Sequence, residues 1–245
     1  MIKGKVSVIM PCYNSAKTII SSIHSILNQS YKNFELIIID DGSTDNSIDV
    51  INSLYDTRIH LIENKSNIGV AKSRNKGICF SQSEFIAFCD SDDLWESNKL
   101  ELQIEKLEDY DIVCSNYQII DENELHIKTV TKVQIFGYNQ MLRENLIPNS
   151  SGIYNAGKIG KVYQKDIGNE DYLMWLQLIS KSKTPVYRID QNLMKYRRLS
   201  TSLSSNKLKS AKWTLNIYLN ELKLGYLKTI YYFSMYVIQG IRKHY

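Results

Sequence analysis

No apolar run in the 245-residue sequence approaches the roughly 20 residues that cross a bilayer as a helix. The opening MIKGKVSVIMPCYNS meets proline and asparagine before an apolar stretch is long enough for a signal-peptide core, so a cytoplasmic protein is expected. Cys12, Cys79, Cys89 and Cys114 form no Cys-x-x-Cys pair, and no histidine spacing completes a zinc site. Reduced, buried thiols are expected instead. PCYNSA, the turn after the first apolar run, contains no glycine, which excludes the Gly-x-Gly-x-x-Gly of a nicotinamide-dinucleotide site. Internal repeats, low-complexity segments and recognisable nucleic-acid modules are all missing, and no nucleic-acid partner is expected.

What is present suits one α/β domain, or such a domain with an appendage: 43% hydrophobic and 23% charged residues. Apolar runs alternate with helical spacing four times. KVSVIM (5–10) precedes a helix over 16–29, FELIIID (34–40) precedes SIDVINSLY (47–55), RIHLIE (58–63) precedes a helix over 70–81, and SEFIAFCD ends at DSDD. This predicts a mostly parallel sheet flanked by helices, with polar residues gathered on the rim at the carboxyl ends of its strands. A helix over 96–108, a strand over 111–117 and a hairpin over 117–130 turning at DENE follow. A short helix is expected over 136–146, a glycine-bearing loop region suited to an acceptor over 147–168, and a capped helix over 169–180.

The stretch FIAFCDSDDLWES closes an apolar run on three carboxylates, a costly crowding unless something neutralises them. If the chain stays extended, Asp90 and Asp92 point to one side and offer hard oxygens to Mg²⁺ or Mn²⁺. The competing reading makes Ser91, Asp92 or Asp93 the cap of a helix LWESNKLELQIEKLE, which explains one carboxylate but not three. DDGSTDNS is likewise either turn chemistry or an acidic pair accepting from a uracil N3–H or ribose hydroxyls. Arg74 can serve that rim or a phosphate.

Six ordered stretches, VSVIMPCYNSAKTI, SILNQSYKNFELIIIDDGSTDNS, NIGVAKSRNKGI, FIAFCDSDDLW, NEDYLMW and KYRRLSTSLSSN, resemble the successive motifs of family 2 glycosyltransferases with the GT-A fold. The resemblance implies a nucleotide-sugar donor, an inverting transfer and a Mn²⁺ or Mg²⁺ cofactor. By the same resemblance Pro11 and Tyr13 line the base pocket, Asp41 binds the base, Asp90 the ribose side, Asp92 the metal, and Asp171 is the catalytic base. Leu199 stands where many members have histidine, and Ser73 where alanine is usual. It also implies a domain over 1–206, with a nucleotide-sugar half over 1–117 and an acceptor half over 118–206. Bacterial members of this size extend lipid-linked O-antigen or capsule units, so a polyprenyl-diphosphate-linked saccharide is the expected acceptor and UDP-galactose or UDP-glucose the expected kind of donor. A sugar-1-phosphate nucleotidyltransferase would open with a glycine- and arginine-rich loop that this chain lacks. A catalytically inactive glycan- or lipid-binding relative is the alternative, and the retained Asp92 and Asp171 argue against it. Trp175 is expected in the core rather than as a sugar platform.

Residues 207–245 carry seven Lys and Arg against Glu221 alone, a balance of +6 within a net +4, together with eight of the 26 aromatic residues. A basic, aromatic helical extension suits peripheral contact with an anionic membrane at the inner face of the cell membrane. Packing of the same helices on the catalytic domain is the other reading.

Overall fold

The computed structural model describes residues 1–198 and 207–242. Strands β1 (Ile2–Cys12), β2 (Phe34–Asp40), β3 (Ile59–Glu63) and β4 (Ser83–Phe88) are parallel neighbours in the order β3-β2-β1-β4. Helices α1 (Ile19–Leu27), α2 (Ser47–Asn52) and α3 (Val70–Phe80) connect them. Every residue of β2 is buried, so FELIIID shows no polar alternation because both sheet faces are covered. Ile9, Ile37, Ile39 and Ile86 enter one core, while Val8, Leu36, Ile38 and Ala87 enter the other with α1.

Beyond β4 the sheet continues through β9 (Ile153–Asn155), antiparallel to both β4 and β6 (Ile112–Ile120). β10 (Val186–Arg197) then runs parallel to β6 and ends against β5 (Leu94–Trp95). β7 (His126–Val130) closes the expected hairpin with β6, and β8 (Ile135–Phe136) pairs with β10. α5 (Tyr138–Arg143) is shorter than expected, and the loop-rich stretch holds a 3-10 turn at Asn149–Ser151, β9 and the single-turn α6 (Ala156–Ile159). α7 (Glu170–Lys181) follows.

Three expectations change. Leu94 and Trp95 pair with Lys195 and Met194 as a strand, and α4 (Lys99–Lys106) starts only after Asn98, so Ser91, Asp92 and Asp93 cap no helix. The chain is not extended there either, because the Asp93 amide donates to the Asp90 carbonyl at 3.1 Å and closes a tight turn. Cys12, Cys89 and Cys114 are buried as free thiols, whereas Cys79 is exposed.

The C-terminal segment comprises α8 (Lys207–Asn216), a π-helical stretch at Ile217–Glu221 and α9 (Tyr226–Arg242). Ile217 and Tyr218 are fully buried in the core that holds α5 and α7. The Tyr218 and Tyr172 hydroxyls lie 2.8 Å apart and reach the carbonyls of Leu142 and Met141. No helix among the described residues is long and apolar enough to cross a membrane.

Candidate active site

The loops after β1 and β2 brace each other. Pro11 is buried near the end of β1, and Tyr13, 47% exposed, projects from the loop that follows. Asn14 takes φ +50, its amide donates to Ser43 Oγ, and its Oδ1 accepts from the Thr44 amide at 2.8 Å. Asp40 folds the DDGS turn by accepting from the Gly42 and Ser43 amides. Asp41 faces the next loop, where Oδ1 accepts from Asn64 Nδ2 at 2.7 Å and the Ile68 amide at 3.0 Å, and Oδ2 from the Gly69 amide at 2.9 Å. Burial raises the pKa of Asp41, but these donors and Ser73 outweigh it and hold the carboxyl below its ordinary range. Gly42, at φ +73, lets the two loops meet, since a Cβ there would lie 2.8 Å from the Ser66 carbonyl carbon.

Arg74, on α3, joins the two sides of the rim. Its guanidinium is nearly inaccessible, with Nη2 2.6 Å from Asp90 Oδ1 and Nη1 3.3 Å from both Glu170 Oε1 and Gln164 Oε1. Burial disfavours its charge, yet Asp90, Glu170 and Asp171 together push its pKa upward and keep it cationic. Asp171 lies beside Glu170 in the first turn of α7. Burial, then the Glu170 charge, push its carboxyl up to about 6 against the pull of Arg74.

The third carboxylate group is the Asp90–Asp93 turn. Asp93 is buried, accepts from the Arg197 amide at 3.1 Å and is helped by Ser150, yet burial and the charges of Asp92 and Asp90 push its pKa well upward. The Arg197 side chain donates from Nε to the Asp92 carbonyl at 2.9 Å and from Nη2 to Glu124 Oε1 at 2.9 Å. The Ser150 hydroxyl accepts from the Asp90 amide, and Trp95 Nε1 donates to the Ser150 carbonyl. The turn is thus pinned from β10 and from the 149–151 turn. Among the described residues no cationic side chain pairs with the Asp92 carboxylate, which burial and then Asp90 push up to about 6. A half-buried, unpaired carboxylate crowded by a second one fits a hard divalent cation whose remaining ligands come from water and phosphate.

Asp41, Arg74, Asp90 and Asp92 thus lie at or beside the carboxyl ends of β2 and β4, and Arg74 ties Asp90 to the Glu170–Asp171 end of α7. Pro11 and Tyr13 lie at the end of β1 on the same rim. Trp175 is fully buried, edge-on to Phe88 and Tyr154, and belongs to the core. Leu199 lies outside the described residues. Sequence reading assigned no role to Arg197, Gln164, Ser150 or Asn169. Arg197 sits in the quoted KYRRLSTSLSSN stretch, but its contacts depend on residues about a hundred positions away.

Comparison with known proteins identifies the family and the fold. The family model described as "Glycosyl transferase family 2" matches residues 7–162. An uncharacterized glycosyltransferase of Haemophilus influenzae is 38% identical over 98% of this chain and 97% of its own length. The Escherichia coli protein named UDP-Glc:alpha-D-GlcNAc-diphosphoundecaprenol beta-1,3-glucosyltransferase WfgD is 35% identical over 98% of this chain and 94% of its own length. The S. aureus TarS 1-349 structure with UDP-GlcNAc superposes with a TM-score of 0.73 at 19% identity, covering 88% of this chain and 67% of that one, a likeness of fold. The chain belongs to glycosyl transferase family 2 and has the GT-A fold.

Proposed function

We propose that this family 2 glycosyltransferase moves a hexose, with inversion, from a UDP-sugar to a hydroxyl of a polyprenyl-diphosphate-linked saccharide in the synthesis of a bacterial cell-surface polysaccharide. The observation that carries the reading is the Arg74 bridge, which ties Asp90 at the end of β4 to Glu170, the neighbour of Asp171. Donor and acceptor groups therefore share one rigid frame. Residues 1–117 form the donor half and 118–206 the acceptor half.

Tyr13 offers an exposed ring for the base to stack on, beside Pro11. Asp41 Oδ2 accepts a single amide in the structure and keeps a lone pair for the uracil N3–H. Asp90, held by Arg74, accepts from a ribose hydroxyl. Asp92 would hold Mn²⁺ or Mg²⁺, which supplies charge neutralisation for the leaving diphosphate. Asp171 takes the proton from the attacking hydroxyl as the new C–O bond forms at the anomeric carbon. The bond to the diphosphate oxygen breaks, and its electron pair leaves with the nucleotide. No enzyme nucleophile is needed, so the configuration inverts. A beta-linked product, as in the WfgD name, is what a direct displacement on an α-linked donor yields.

A screen of UDP-, dTDP- and GDP-sugars with Mn²⁺ or Mg²⁺, read by nucleotide release, tests the donor assignment. Release from a UDP-hexose that depends on the cation supports it, and turnover of GDP- or dTDP-sugars alone would overturn it.

A further inference from the structure

Helices α5 and α9 leave a groove of about 330 Å³ between them, lined by Tyr138, Leu142, Leu224, Leu227, Tyr231 and Tyr232. Its lining is polar at one point, where the Tyr232 hydroxyl donates to Asn139 Oδ1 at 2.9 Å. The groove opens onto an apolar face of α9 on which Leu227, Ile230, Tyr231 and Ile238 recur at helical spacing. Leu227 is 86% and Ile230 66% exposed, a contiguous apolar surface that nothing in the chain covers among the described residues.

Cationic groups sit where the groove meets this face. Lys228 lines it, and the Arg143 guanidinium lies 5.9 Å from the centroid of the Tyr231 ring. Arg143 thus holds a positive charge against a ring that lines the groove, and Lys228 adds a second one within the lining itself. An occupant that is apolar along its length and anionic at one end satisfies both features. The groove wall is also tied to α7, the helix that carries Asp171 in its first turn. The Leu142 carbonyl, on its wall, is bonded by Tyr218, which meets Tyr172, the neighbour of Asp171.

We propose that this groove seats the lipid chain of a diphosphate-linked acceptor, with Arg143 and Lys228 facing the diphosphate. The inference rests on the lipid-linked acceptor reading above and adds where the lipid binds. The groove takes one chain, which orients the saccharide toward α7, and the exposed α9 face lets that chain enter from a bilayer.

The test labels the full chain with a benzophenone-bearing isoprenyl diphosphate and maps the adducts by peptide mass spectrometry. Saturable labelling of residues 138–143 and 224–232 is expected. Farnesyl diphosphate should compete, while pyrophosphate and uncharged phosphatidylcholine vesicles should not. Leu227→Asp, safe for folding because the side chain is exposed, should lower labelling at least tenfold, and Arg143→Gln several-fold, with unchanged far-UV circular dichroism. Labelling elsewhere overturns the proposal. So does equal competition by the vesicles, which marks a general bilayer face, or a dimer that Leu227→Asp dissociates, which marks a contact between copies. Nucleotide release by the wild-type protein with a water-soluble acceptor is read in parallel. Its presence without labelling sinks the groove alone, and its absence sinks the transferase reading.

Discussion

Gly168, at φ +74, faces the indole of Trp213 so closely that a Cβ on it would come within 2.3 Å of the ring. The next residue, Asn169, also at positive φ, donates from Nδ2 to the Ser210 carbonyl at 3.1 Å and to Thr214 Oγ1 at 3.1 Å. Lys165 adds an ion pair to Glu221. The segment beyond residue 206 therefore holds the loop that delivers Glu170 and Asp171, whatever its relation to a membrane.

It follows that Trp213→Ala lowers kcat with a water-soluble acceptor and destabilises the fold by about 1–3 kcal/mol. Gly168→Ala should do the same, by overpacking against the indole and by strain at positive φ. Thermal melts and single-turnover rates measure the two effects. Wild-type kcat in a folded Trp213→Ala protein would show that α8 does not position the loop.

Asp171→Asn should lower kcat by roughly 10²- to 10⁴-fold with donor affinity little changed. The same substitution should stabilise the protein. Asp171 titrates higher in the fold than its ordinary value of 3.8, at about 6, so its ionisation costs native-state stability as pH rises through that window. At neutral pH Asn removes that cost, a gain of up to about 1–3 kcal/mol, and below the ordinary aspartate pKa of about 4 the gain disappears. Denaturant titrations at both pH values read it. Loss of stability with normal turnover would make Asp171 a structural helix-start residue.

The wild-type rate should carry an acidic limb with a midpoint about pH 6, since the base works only when ionised. Activity falls as pH drops through that point. A flat profile in kcat down to about pH 5, with the protein still folded, would remove Asp171 from the proton transfer.

Asp92→Asn should lose Mn²⁺-dependent donor binding while the fold persists, because the turn is held by backbone and Arg197 contacts that do not use this carboxylate. Isothermal titration with UDP and Mn²⁺ reads the loss. Unaltered cation-dependent binding would move the metal site elsewhere.

Three βα units and the strand that follows them were legible in the sequence because buried parallel strands and amphipathic helices have distinct periods. β9 was not, since three residues become a strand only by pairing with β4 and β6. β10 was hidden by its polar residues. Arg188 is buried within it, donating to the Ser115 and Leu146 carbonyls, a satisfaction that only the folded partners reveal. At the site, the acidic residues stood out in the sequence, whereas the Asp90–Asp93 turn and the roles of Arg197 and Asn169 come from contacts between distant segments. The basic, aromatic C-terminus had two readings. The structure packs Ile217 and Tyr218 into the core and leaves Leu227 and Ile230 of α9 exposed.

That exposed face, with the lysines around it, should bind anionic vesicles at low salt and release them at high salt. Co-sedimentation with phosphatidylglycerol vesicles reads it, and reversing Leu227 and Ile230 to Asp should abolish binding without unfolding. Indifference of the intact protein to anionic vesicles at low salt would leave α9 a packing element only.

The most direct test of inverting transfer to a lipid-linked acceptor is the anomeric configuration of the product formed from an α-linked UDP-hexose and a diphosphate-linked saccharide acceptor, read by the ¹H coupling of the new linkage. A β-linked product, released with one UDP per transfer and lost in Asp171→Asn, is the expected result. An α-linked product, or a β-linked one formed equally well by Asp171→Asn, would contradict it.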